Sequence, residues 1–109
     1  MKKLKANGRI WLETETGPVL GYGRIELLEK IIALGSISKA ANEMKMSYSQ
    51  AWELIESMNE NVHRPIVIKQ TGGKGGGGAL VTPYGEELIK DFKELNLNFQ
   101  NFLLEQQKG

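Results

Sequence analysis

A mostly α-helical domain with one small β-hairpin and a long closing helix is the fold class this sequence predicts, and three observations predict it. Helical periodicity recurs from Tyr22 to about Gln106. Within it, two short helical stretches are separated only by the residues Lys45 to Ser47. Farther on, two β-prone runs, "IVIKQ" and "ALVT", flank a glycine-rich stretch as the strands of a hairpin flank its turn. A chain of 109 residues, 40% apolar and 25% charged, is long enough to bury a modest core, and residues 1–109 are expected to form a single domain.

The elements follow in order. "RIWLETETG" sets Ile10, Leu12 and Thr14 on one side against Trp11, Glu13 and Glu15 on the other, a half-buried strand expected to end at Gly17-Pro18. From Tyr22 to Leu34, Ile25, Leu28, Ile31 and Ile32 recur at helical spacing, Leu27 and Leu34 widen the stripe, and Gly35 stops it. Ser36 or Ser38 can cap the next, short helix, whose Ala40, Ala41 and Met44 face inward. Ser47 and Gln50 then stand at capping-box spacing and open a third helix with Ala51, Leu54, Ile55 and Met58 as its apolar stripe. Thr82 as N-cap, Pro83 at the first helical position and Glu86 with Glu87 near the positive end of the dipole start the last helix. Its Leu88, Phe92, Leu95, Phe99 and Phe102, edged by Leu103, form a heptad seam over about 24 residues, or roughly 36 Å. That length exceeds what so small a domain covers, and the seam is expected to pair with a second copy.

The stretch "TGGKGGGGAL" between the two β-prone runs has three readings. A phosphate-binding loop needs glycine six residues before its lysine and Ser or Thr directly after; counting back from Lys74 reaches Ile68, and Gly75 follows. Gly73, Gly75 and Gly78 satisfy a dinucleotide fingerprint, but the run leads into a strand and not into a helix. A plain linker fits the composition. The hairpin context favours a wing, with a tip at 72–78 that lacks bulky side chains and can lay amides and Lys74 beside a phosphate chain or into a minor groove. Helix, helix-turn-helix, hairpin, helix is the order of a winged helix-turn-helix domain, here with a wing at about 66–82 and a dimerisation helix at about 83–106.

"GSISKAANEMKMSYSQAWELIESMNE" followed by "RPIVIKQTGGKGGGGALVTPYGEELI" resembles the N-terminal DNA-binding domain of the ModE family of molybdate-responsive transcriptional regulators. The likeness runs from about residue 8 to about residue 103. "GSISKAANEMKMSYSQ" and "LVTPYGEEL" are similar, more distantly, to the helix-turn-helix of LysR-type regulators. The resemblance implies a dimeric, DNA-binding transcription factor, linked to molybdate or another metal oxyanion. The family's C-terminal molybdate-binding modules have no counterpart in these residues, so molybdate sensing is not carried over.

In such a motif the N-terminal part of the second helix enters the major groove, which puts Ser47, Tyr48, Ser49, Gln50, Trp52 and Glu53 nearest the bases. Gln50 could pair with adenine, but its capping role competes for the same amide. Trp52 lies beside the buried stripe, where an indole either packs on the core or wing or touches DNA. Glu53 could accept from cytosine, or simply be solvated. Lys39, Lys45, Lys69 and Lys74 are the candidates for phosphate contact, and Ser36 with the wing residues Thr71, Gly72, Gly73 and Gly75 complete the expected DNA-binding set, the wing lying on the backbone or in the minor groove. His63 and Arg64 receive no role.

Partners expected from this pattern are double-stranded DNA with a palindromic operator and a second copy of the chain, in the cytoplasm and on the nucleoid, with no membrane. A formal charge of +1 is too small to prove a polyanion partner, and it supports the rival, a winged protein-interaction module without DNA affinity. No cysteine and a single histidine leave no thiolate or histidine cluster, and no nucleophile, base and orienting residue can be assembled; neither a cofactor nor catalysis is expected.

Overall fold

The structure, a computed structural model, describes residues 4–70 and 78–107. Along the chain run β1 (Leu12–Thr14), β2 (Gly17–Leu20), α1 (Tyr22–Leu34), α2 (Ile37–Glu43), α3 (Tyr48–Glu60), β3 (Val67–Gln70), β4 (Gly78–Val81) and α4 (Pro83–Glu105). The strands form two antiparallel pairs, β1 with β2 and β3 with β4. This is the winged helix-turn-helix order, preceded by a further hairpin.

Local chemistry sets most of the boundaries. Gly35, in the left-handed region at φ 68°, ends α1 by donating its N–H to the Ile31 carbonyl. Ser36 caps α2, its Oγ accepting from the Lys39 amide at 3.1 Å. Ser47 and Gln50 form the full capping box at the start of α3: Ser47 Oγ accepts from the Gln50 amide at 3.1 Å, and Gln50 Oε1 from the Ser47 amide at 2.9 Å. Thr82 caps α4, accepting from the Gly85 amide at 3.0 Å.

One core serves all the elements. Leu27, Leu28 and Ile31 of α1 pack with Ala40 and Ala41 of α2, Ala51, Ile55 and Met58 of α3, Ile66, Val67 and Val81 at the hairpin, and Ile89 and Phe92 of α4. The three buried alanines let α2 and α3 approach closely, as the short turn between them demands. In that turn the Lys45 and Met46 amides donate back to Asn42 and Ala41 carbonyls at 3.1 and 3.0 Å. At the far end of α3, Asn61 Nδ2 donates to the Ser57 carbonyl at 2.8 Å, and Thr16 Oγ1 donates to Asn61 Oδ1 at 2.6 Å, which ties the β1–β2 turn to the helix. Arg24 Nη1 donates to the Pro18 carbonyl at 2.9 Å, and burial holds this guanidinium below the usual arginine range.

Four expectations are corrected. The first strand does not close the N-terminal region at Gly17-Pro18: the chain turns before Gly17 and these two residues open β2, paired as Thr14 with Gly17 and Glu13 with Pro18. Proline is tolerated on such an edge, and Gly17, at φ 148°, takes a conformation open to glycine. Ile32 is 48% exposed while Leu27 is fully buried in the core cluster, so the covered face of α1 runs through Leu27 and not through Ile32. Gly78 belongs to β4, opposite Gln70, and not to the wing tip. Phe92 is 2% exposed within the single chain, so it cannot serve as seam surface.

Gly85 marks the tightest junction between α4 and the hairpin. A Cβ there would stand 2.7 Å from the Ile66 carbonyl oxygen and 2.9 Å from both Ile66 Cγ2 and Val81 Cγ1. That carbonyl accepts from the Thr82 amide at 2.9 Å and cannot retreat without loosening the cap of α4. Alanine at an ordinary helix position gains about 1 kcal/mol over glycine, but overpacking costs about 1–3 kcal/mol. Gly85→Ala is therefore expected to lower the melting temperature by several degrees; a melt at or above the wild type would mean that α4 shifts without cost.

Candidate nucleic-acid interface

Helix α3 leaves its first turn uncovered. Tyr48 is 45% exposed, and Ser49, Gln50, Glu53 and Glu56 are exposed beside it, while Ala51, Ile55 and Met58 hold the opposite face in the core. Such a helix can be approached along its N-terminal half without disturbing the fold.

Tyr48 has basic neighbours from two other elements. Together with Ser38, Lys39, Ala41, Asn42 and Met46 it lines a concavity of about 310 Å³ between α2 and α3. On its other side, the Lys69 ammonium of β3 lies 5.8 Å from the Tyr48 ring and 4.0 Å from the Trp52 ring, within cation–π range of both. Lys30 and Lys93 are engaged by Glu43 and Glu29. Among the described residues, Lys39, Lys45 and Lys69 have no such ion pair.

Lys45 adds an independent signal. It sits in the turn between α2 and α3 with φ 58°, the one non-glycine residue of positive φ among the described residues. Holding a Cβ there costs roughly 1–2 kcal/mol relative to glycine. Its side chain is exposed and adds no burial in return.

The predicted site residues thus fall into four groups. Tyr48, Ser49, Glu53, Lys39, Lys45 and Lys69 are exposed around the opening of α3. Ser36, Ser47 and Gln50 spend their side-chain oxygens on caps, so a bidentate pairing of Gln50 with adenine would have to share Oε1 with the Ser47 amide. Trp52 is half-buried against the core and carries Lys69 on its face. Thr71, Gly72, Gly73, Lys74 and Gly75 lie outside the described residues.

On α4 the seam residues separate as well. Phe92 is in the core, edge-on to the Tyr22 ring with centroids 6.0 Å apart. Leu88 is half-buried against the same core. Phe99 and Leu103 are half-buried, and the backbone of Gly8 lies so close that an added Cβ would meet the Phe99 ring at 3.0 Å. Gln100 Nε2, donating to the Gly8 carbonyl at 3.1 Å, helps hold that segment along the helix. Leu95 and Phe102 remain open, at 46% and 57% exposure. Sequence reasoning missed Leu97 and Leu104, open at 60% and 56%, whose seven-residue spacing off the main stripe was the available signal. It also missed Asn59, a polar residue on the margin of the α3 stripe.

No helix among the described residues is long and apolar enough to cross a membrane.

Comparison with known proteins agrees with this architecture. The chain is 38% identical over 95 residues to the molybdenum transport protein ModE of Azotobacter vinelandii, a match covering 87% of this chain and 35% of that one. It is 47% identical over 74 residues to the molybdenum-pterin-binding protein MopB of Rhodobacter capsulatus, covering 68% and 27% respectively. To the DNA-binding transcriptional dual regulator ModE of Escherichia coli (strain K12) it is 48% identical over 67 residues, covering 62% and 26%. The chain therefore spans about a quarter to a third of the length of these relatives. In fold it is similar to the crystal structure of ArgP from Mycobacterium tuberculosis, with a TM-score of 0.54 at 20% identity over 80% of this chain and 31% of that one. Residues 23–86, more than half of the 109, match the family described as bacterial regulatory helix-turn-helix protein, lysR family, and the chain belongs to that family.

Proposed function

We propose that this chain is a sequence-specific DNA-binding module of a transcriptional regulator, with the opening of α3 in the major groove and the β3–β4 wing on the adjacent backbone. The observation that carries the reading is the surrounding of Tyr48: an exposed ring at the start of α3, flanked by Lys39 of α2 and by Lys69 of β3. Phosphate contacts position a protein on a duplex and base-edge contacts specify the sequence. Lysines from separate elements around one exposed helical turn supply the first, and Tyr48 and Ser49 the second. Lys45 supports the same reading, since its exposed charge stands in the turn between α2 and α3.

The module acts as a homodimer through α4. A 23-residue helix is about 34 Å long, and the molecule measures 60 × 30 × 21 Å, so α4 reaches beyond the core with Leu95 and Phe102 open. Two-fold pairing of two such modules matches a palindromic operator. Relatives named for molybdenum transport and molybdenum-pterin binding support a target among genes of molybdenum or another metal oxyanion.

Selection of bound fragments from genomic DNA, followed by titration at several salt concentrations, tests this. Replacing Lys39, Lys45 or Lys69 with alanine is expected to weaken binding alike across sequences and to lower the salt slope by about one counterion each. Tyr48→Ala and Ser49→Ala are expected instead to narrow the preference for the selected site over its single-base variants, where each mismatch normally costs about 1–3 kcal/mol. A wild-type protein that enriches no fragment, or binds all of them equally, would sink the reading.

A further inference from the structure

The Lys69 ammonium does not reach its place over Trp52 through its own strand alone. A β-hairpin attached to a helical core can tilt, and a tilt would swing Lys69 across the surface of α3. On the β4 side the Ala79 amide donates to the Gly35 carbonyl at 3.1 Å; on the side of β3, the strand that carries Lys69, the tie is a side chain of α3 itself. Asn59 Oδ1 accepts from the Ile66 amide at 2.7 Å and from the Val67 amide at 3.3 Å, and Asn59 Nδ2 donates to the Val67 carbonyl at 3.0 Å. One carboxamide thus satisfies donors and an acceptor where the chain enters β3. Ile66 and Val67 are 0% and 2% exposed, so water is a poor substitute partner there.

We infer that Asn59 is a positioning residue of the interface: it fixes strand β3 to helix α3 and thereby holds the Lys69 charge over the Trp52 ring at the edge of the DNA-facing surface. The recognition helix and the wing strand then meet a duplex as one rigid body, with Trp52 a platform for a cation and not a reader of bases. Asparagine suits the position because it offers both an acceptor and a donor on one short, planar group. The consequence for DNA affinity rests on the function proposed above; the placement of Lys69 does not.

The test has two arms. Without DNA, the Lys69 side-chain protons nearest the ammonium carry an upfield ring-current shift from Trp52 in the NMR spectrum. Asn59→Ala is expected to abolish most of that shift and to speed exchange of the Ile66 amide at least about tenfold, while the Ile55 amide keeps its protection. An unchanged shift overturns the inference whether or not the protein binds DNA. With DNA, a cycle of Asn59→Ala and Lys69→Ala is expected to be non-additive: each single change weakens binding several-fold, and the pair is no weaker than Lys69→Ala alone. Additive losses mean that Asn59 acts independently of Lys69, and also overturn it. Absence of DNA binding by the wild type removes the proposed function and leaves the first arm to decide the placement. Should Asn59→Ala fail to fold, Asn59→Asp keeps the acceptor for both amides and sets a carboxylate oxygen against the Val67 carbonyl in place of the donor; the Lys69 shift is then expected to fall while the Ile66 amide stays protected, and an unchanged shift overturns the inference.

Discussion

Phe92→Ala is expected to destabilise the protein by about 3–5 kcal/mol, a large share of the roughly 5–15 kcal/mol that holds a domain folded. The ring is 2% exposed, packs edge-on to Tyr22, and belongs to the same cluster as Ile89 and the α1 leucines. Its removal leaves a cavity that neither the backbone of α4 nor a neighbouring aromatic can fill, since Tyr22 Oη is committed to Asn96 Oδ1 at 2.6 Å. Urea denaturation followed by circular dichroism measures the effect, and the midpoint is expected to fall with little change in slope. A loss under about 1 kcal/mol would contradict a core position, since core Phe→Ala changes cost several times more. Heptad spacing alone points to a different result, a folded monomer, because it assigns Phe92 to the contact between copies.

Leu95→Asp combined with Phe102→Asp is expected to give that folded monomer. Both side chains are about half exposed in the single chain, so the carboxylates stay in water and the fold keeps its stability. In the dimer the same residues would bring four charges into an apolar contact, and the lost burial amounts to about 1.5–3 kcal/mol for each side chain. Sedimentation should then find one copy at micromolar concentration. Operator affinity should fall by about 100-fold or more, because each half-site is bound without the effective concentration that its partner supplies. A dimer that survives both aspartates would move the contact to the face of Leu97 and Leu104, seven residues apart on another side of α4.

These two expectations differ because one stripe on one helix is divided between two environments. Phe92 lies where α4 still runs over the core, together with Gly85 and Ile89. Leu95 and Phe102 are open, while Phe99 and Leu103 between and beyond them are partly covered by the N-terminal segment at Gly8. The sequence displays the stripe but not its covering. Gly8 and Phe99 stand far apart along the chain, and nothing in the spacing of either segment announces their meeting.

What the sequence by itself determined is local. The start of α3 follows from Ser47 and Gln50, the start of α4 from Thr82 and Pro83, and the end of α1 from Gly35, because each cap is satisfied by atoms within a few residues of the amide or carbonyl it serves. The helix-turn-helix and the wing strands follow from short spacings of the same kind. Tertiary structure alone decided that Phe92 is core, that Trp52 carries Lys69, and that Asn59 fastens the wing. Each of these depends on which distant surface comes to lie against a residue, and side-chain chemistry read along one dimension carries no record of that.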